Sequence, residues 1–138
     1  MKRNATAHWE GTGKEGKGDI TTQSTVLNKT QYSFTSRFAD GVGTNPEELL
    51  AAAHAGCFTM KLSFNISKAG FTPESIDTKS IVNLNPEAGA IDNVHLEVSA
   101  KVPGLGADQF QELAKDAEAN CPVSKLFRAE ITMDAKLV

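Results

Sequence analysis

Apolar positions along the chain follow two periods, and the switches between them mark the elements. Ala5–Glu10, Ile20–Thr25 and Gln31–Phe38 are short runs that read as extended segments, separated by Gly-rich and Asn/Lys turns, and they predict three strands. The pattern changes at Gly43-Thr44-Asn45-Pro46-Glu47-Glu48. Thr44 or Asn45 caps a helix there, Pro46 suits its first position, and the two carboxylates meet the positive end of the helix dipole. The helix runs through Leu49, Leu50, Ala51–Ala53, Cys57 and Met60 to about Lys68; Gly70 stops it and Pro73 lies just beyond. From Leu49 to Phe58 nearly every side is apolar or small, which predicts a buried central helix.

Two longer strands follow, Ile76–Leu84 and Val94–Val102, with turn residues Pro86–Gly89 and Asp92–Asn93 between them. In the second, Val94, Leu96, Val98, Ala100 and Val102 alternate with His95, Glu97, Ser99 and Lys101, the mark of a sheet with one wet face. A second helix, about Ala107–Asn120, gathers Phe110, Leu113, Ala114 and Ala117 on one side. The Cys121-Pro122 step breaks it, Val123–Phe127 adds a turn, and Ile131, Met133, Ala135 and Leu137 alternate in a last strand. The sequence holds no repeat and no low-complexity tail. This order predicts a single α+β domain over residues 1–138, its helices packed on a mainly antiparallel sheet.

Composition narrows the function. A chain of 138 residues with 40% hydrophobic and 22% charged positions needs no staples to fold. Its net charge of −3 argues against nucleic acid as a partner, because phosphate binding calls for clustered Lys and Arg. The charges near the N-terminus precede no apolar h-region, and Leu49–Met60 is interrupted by His54 and too short to span a bilayer. The expected address is the cytoplasm, with no membrane partner. In that compartment the two cysteines, Cys57 and Cys121, read as a transient catalytic or redox-sensing pair rather than a structural disulfide.

Gly11–Gly18, GTGKEGKG, nearly spells a phosphate-binding loop. Position 18 is Gly where that motif needs Ser or Thr, and the β-branched DITTQSTV after it is no helix start, so a hairpin loop is expected.

Cys57 lies mid-helix in Ala53-His54-Ala55-Gly56-Cys57-Phe58. A buried helical cysteine alone is a small hydrophobe, but here small neighbours let a ligand or backbone approach, and Phe58 and Met60 supply apolar walls. A reactive thiol must ionise, and from an ordinary pKa of about 8.5 only a few per cent is thiolate at neutral pH. The dipole fades before Cys57, so a cation is needed. Arg37, at the end of the third predicted strand, reads either as a solvated strand-end charge or as that cation. Glu47 precedes Cys57 by ten positions (47 to 57), roughly 15 Å of helix rise. It reads either as a favourable helix-start charge or as the acid that orients Arg37 through a bidentate pair. His54 as the base of a Cys–His hydrolase lacks a third orienting residue and an oxyanion hole. A metal site from Cys57, His54 and Cys121 lacks a fourth ligand.

Phe34-Thr35-Ser36-Arg37-Phe38, the run Gly43 to Phe58, and Cys121-Pro122-Val123-Ser124 closely resemble the OsmC/Ohr family, and within it the OsmC branch. Ala7-His8-Trp9-Glu10-Gly11 and Ala129-Glu130-Ile131-Thr132 extend the likeness over essentially the whole chain. The resemblance implies an intertwined α+β homodimer whose two sites are built from both chains. It implies a peroxidase that reduces organic hydroperoxides, and hydrogen peroxide more weakly, in stress defence. Cys57 is then the peroxidatic cysteine and Cys121 the resolving one; Arg37 activates and Glu47 holds it, although the Ohr branch places its arginine earlier in the chain. His54 is given a packing role. Electrons come from a dithiol, a lipoyl group or small thiol, and no cofactor or metal is implied. The competing reading is a non-catalytic redox sensor or apolar-ligand carrier on the same scaffold.

Overall fold

A computed structural model describes all residues, 1–138, as two compact units, Met1–Leu49 and Leu50–Val138. The first unit holds β1 (Ala5–Glu10), β2 (Lys17–Thr22) and β3 (Thr30–Ser33) in one antiparallel sheet, order β1-β2-β3. Residues 11–16 close the β1–β2 hairpin, with Gly16 N–H donating to the Thr12 carbonyl at 2.8 Å. The near-phosphate motif is therefore a hairpin loop that feeds a strand. Gly18 faces Trp9 in the register, and a Cβ there would run into the Trp9 and Tyr32 rings, which pack tilted with centroids 5.2 Å apart. The second strand begins and ends earlier than the pattern predicts. Thr25 N–H bonds the Thr22 carbonyl at 2.9 Å, and Thr25 sits at φ 60, so the chain turns where a strand was expected to run on.

The third predicted strand also stops early, at Ser33. Phe34–Phe38 is instead a short helix, α1. The cause is a reciprocal capping box: Ser36 N–H donates to Ser33 Oγ, and Ser33 N–H donates to Ser36 Oγ. Phe34 and Phe38, four apart, then meet on one face with ring centroids 4.7 Å apart. Ser36 and Thr44 are the buried residues of this unit, and no apolar side chain within it is buried.

Helix α2 (Pro46–Lys68) starts as its sequence predicts, with Asn45 Oδ1 accepting from Glu48 N–H at 2.8 Å. It stops at Gly70, φ +92, where Phe71 N–H reaches back to the Ile66 carbonyl. The second unit adds β4 (Ser75–Asn85), β5 (Ala90–Lys101), α3 (Ala107–Asn120), α4 (Pro122–Leu126) and β6 (Glu130–Leu137). Its sheet runs β4-β5-β6, antiparallel between the first pair and parallel between the second. The parallel pair follows from α3 and α4, which carry the chain back to the end of the sheet where β5 began.

The core lies between this sheet and one face each of α2 and α3. Phe58, Leu62 and Ile66 of α2 meet Leu96, Val98 and Ala100 of β5 and Phe110, Ala114 and Ala117 of α3. The spacing of four on α2 makes a single stripe. Its other side stays open within the chain, with Met60 62% and Phe64 66% exposed. The central helix is thus covered on one side by its own chain, whereas its apolar sequence predicts burial all round; one three-stranded sheet and one helix pair are too narrow to wrap it.

Candidate functional site

In the first unit, the capping box that makes α1 also aims Arg37. Ser36 Oγ donates to the Thr44 carbonyl at 2.9 Å and Asn45 Nδ2 donates to the Ser36 carbonyl at 3.0 Å, tying α1 to the segment that launches α2. Arg37, in the last turn of α1 rather than at the end of a strand, reaches Glu47 in the first turn of α2. Its Nη2 donates to Oε1 at 2.8 Å, and its Nε donates to Oε1 at 3.1 Å and Oε2 at 3.2 Å. This is a forked, charge-assisted clamp. The guanidinium also lies 5.1 Å from the centroid of the Phe38 ring. Glu47 is 13% exposed and Arg37 39%, so the acid is spent on holding a cation that keeps an open side.

In the second unit the structure brings the two cysteines together as free thiols, Cys57 half-buried and Cys121 buried. α3 delivers Cys121. The helix ends at Asn120, Cys121 turns extended at φ −63 and ψ 128, and Pro122 opens α4. The Cys121 thiol and the Val123 N–H lie close enough to the Cys57 sulfur to bear on its ionisation. Burial pushes the Cys57 thiol above its ordinary range, the neighbouring Cys121 thiol pushes the same way, and the Val123 N–H opposes both. A separate open groove runs between α2 and β4, lined by Ala55, Gly56, Thr59, Met60, Ile76 and Thr78; neither cysteine is among its walls. A Cβ on Gly56 would meet nothing, so the small residues there leave room that this chain does not fill.

His54 is fully buried one turn before Cys57. Its Nε2 is 2.9 Å from Ser124 Oγ, its Nδ1 is 3.3 Å from Ser80 Oγ, and the Phe127 ring packs edge-on at 5.2 Å. Both ring nitrogens are engaged by hydroxyls, so neither is left to act as a base on Cys57. Burial lowers its pKa from the ordinary 6.5. A base whose folded pKa lies below its unfolded one favours folding above about pH 6.5, and this contribution is lost as pH falls through the folded value. Wild-type protein is therefore expected to lose melting temperature between pH 7 and 5 more steeply than a His54→Gln variant. Parallel thermal melts check this, and equal slopes would refute it.

Three participants have no signal of their own in the sequence: the Val123 N–H, Ser124 and Ser80. A backbone donor has no residue signature. The one available hint is positional, since His54 precedes Cys57 by three residues and Ser124 follows Cys121 by three.

A family model described as OsmC-like protein matches residues 39–136. Peroxiredoxin OsmC of Escherichia coli (strain K12) is 49% identical over 139 residues, covering 99% of this chain and 97% of that protein. An organic hydroperoxide resistance protein of Xanthomonas axonopodis pv. citri is 34% identical over 101 residues, 72% of this chain and 70% of its own. Among solved structures, an organic hydroperoxide resistance protein OsmC from Legionella pneumophila is 23% identical. It aligns with a TM-score of 0.72 over 99% of this chain and 96% of the other, a likeness of fold. No helix of this chain is long and apolar enough to cross a membrane.

Proposed function

The chain belongs to the OsmC family, and from that footing we propose that it is a cysteine peroxidase that reduces organic hydroperoxides to alcohols. The observation that carries this reading is the thiol pair: two free cysteines from distant parts of the chain brought close enough for one to bear on the ionisation of the other, Cys57 half-buried and Cys121 buried. In the first step the Cys57 thiolate attacks the terminal peroxide oxygen. The S–O bond forms as the O–O bond breaks, the leaving alkoxide takes a proton and departs as alcohol, and Cys57 becomes a sulfenic acid. Cys121 then attacks that sulfur as thiolate, the S–S bond forms, and hydroxide leaves as water with a proton. An external dithiol, a lipoyl group or a small thiol, reduces the disulfide by two electrons and is itself oxidised.

Arg37, clamped by Glu47, supplies the positive charge that stabilises the Cys57 thiolate. Such a charge answers the pressure that burial puts on the thiol. The working form in this reading is a homodimer in the cytoplasm, each chain one domain over residues 1–138. Two features support the dimer. The unit Met1–Leu49 has no buried apolar side chain of its own, and α2 leaves Met60 and Phe64 uncovered.

The test is steady-state consumption of cumene hydroperoxide with dihydrolipoamide as electron source. The expected result is many turnovers per protein, with both thiols lost on peroxide addition and regained with the dithiol. Oxidation that stops at one equivalent under every dithiol would overturn the enzyme and leave a redox sensor.

A further inference from the structure

The deepest polar contact near the thiols plays no part in the steps above. His54 and Ser124 are both buried, 70 positions apart in sequence, and joined at 2.9 Å. Each stands one helical step from a cysteine, His54 before Cys57 on α2 and Ser124 after Cys121 on α4. We propose that His54 is a positioning residue: through Ser124 it fixes the Cys121–Ser124 turn on α2, setting both the Cys121 sulfur and the Val123 N–H against Cys57. This rests on the peroxidase reading of the two cysteines.

Cys121 itself is anchored by its burial and by its N–H bond to the Ala117 carbonyl at 2.9 Å, whereas the residues after it have fewer ties. α4 has five residues, and its cap, Cys121, makes no side-chain capping bond. Within α4 the backbone bonds Lys125 N–H to Cys121 carbonyl at 3.1 Å and Phe127 N–H to Ser124 carbonyl at 3.2 Å hold its shape but not its place. Val123 packs on the core, and an apolar contact of that kind permits sliding where a hydrogen bond in a water-poor site does not. His54 is itself pinned from the other side by Ser80 of β4 and by the edge of Phe127. The chain of contacts therefore runs from the sheet, through the imidazole, to the turn that carries Cys121.

The position of Cys121 decides a competition. A sulfenic acid on Cys57 is either captured by the Cys121 thiolate, giving the disulfide and water, or itself attacks the terminal oxygen of a second hydroperoxide, breaking the O–O bond to give sulfinic acid and a second alcohol. Loosening the turn slows the first branch and leaves the second untouched. Breaking a buried hydrogen bond is worth on the order of tenfold in such a local equilibrium.

The experiment exposes reduced wild type, Ser124→Ala, Ser124→Thr, His54→Leu and His54→Gln to increasing cumene hydroperoxide and reads disulfide against sulfinic acid by intact mass. Circular dichroism identifies the folded variants. Wild type should give disulfide until hydroperoxide is in large excess. Ser124→Ala and His54→Leu should reach half sulfinic acid at roughly tenfold less hydroperoxide, while Ser124→Thr, which keeps the hydroxyl, stays near wild type. Should His54→Leu fail to fold, Ser124→Ala, which removes one oxygen, and His54→Gln decide the matter. A folded Ser124→Ala or His54→Leu that partitions as wild type does would overturn the positioning role alone. Wild type that forms no Cys57–Cys121 disulfide would overturn the peroxidase reading and this inference together.

Discussion

With Cys57 replaced by serine, hydroperoxide consumption is expected to fall on the order of 10⁴-fold or more, to the rate of the dithiol by itself. Serine keeps the shape of the side chain and a hydrogen-bonding atom beside Cys121 and the Val123 N–H, so the fold survives. What disappears is an atom that ionises near neutral pH and accepts an oxygen atom without breaking the chain. Cys121→Ser separates the two roles. It retains the first step, releases one equivalent of alcohol, and then stalls as sulfenic acid or proceeds to sulfinic acid. Measured side by side, zero equivalents from Cys57→Ser, against one from Cys121→Ser stalled as sulfenic acid or two where it reaches sulfinic acid, assign attack and resolution. The reverse pattern would exchange the two roles, and sustained turnover by Cys57→Ser would remove this cysteine from the chemistry.

The elements that the sequence predicts well are those whose period runs long enough to be unambiguous. β5 alternates cleanly over Val94–Val102, although the strand begins at Ala90 and takes in Asp92 and Asn93, which read as turn residues; α2 carries cap, Pro46 and paired carboxylates at its start and Gly70 at its end. Phe34–Phe38 is too short for that. Over five residues, two aromatics four apart satisfy both a strand face and a helix face, and the choice falls to Ser33 and Ser36, whose reciprocal bonds select the helix. The parallel pairing of β5 with β6 depends on where α3 and α4 return the chain, which no local pattern fixes. α2 departs from its pattern for a different reason: an apolar sequence reports that cover is needed, not which molecule provides it. At the site, side-chain types point to Cys57, Cys121, Arg37 and Glu47. The geometry adds a backbone N–H at Val123, which residue types hide, and hydroxyl partners at both ring nitrogens of His54.

Arg37→Met is expected to move the whole pH–rate curve of Cys57 to higher pH. Within one chain, burial and the Cys121 thiol both favour the neutral thiol, and the single Val123 N–H works against them. A guanidinium within a few ångströms lowers an acid by about one to three units. Removing it raises the thiol pKa by the same amount, and where thiolate is the minor species each unit costs tenfold in its population. At pH 7 the variant should therefore react with iodoacetamide and with cumene hydroperoxide about 10- to 1000-fold more slowly, the deficit shrinking as pH rises toward the thiol's own pKa. Methionine preserves the aliphatic stem and leaves Glu47 without its partner, so Glu47→Gln is the companion variant. It keeps the cation but loses the forked clamp, and should shift the curve in the same direction by less. Arg37→Lys cannot reproduce the three-contact fork and belongs between the two. Dilution then identifies the donor. A rate per thiol that falls as the protein is diluted marks an arginine contributed by a second copy, and a rate that holds constant marks the chain's own. An Arg37→Met profile lying on the wild-type curve would show that the Arg37–Glu47 clamp serves only to dock α1 at the start of α2.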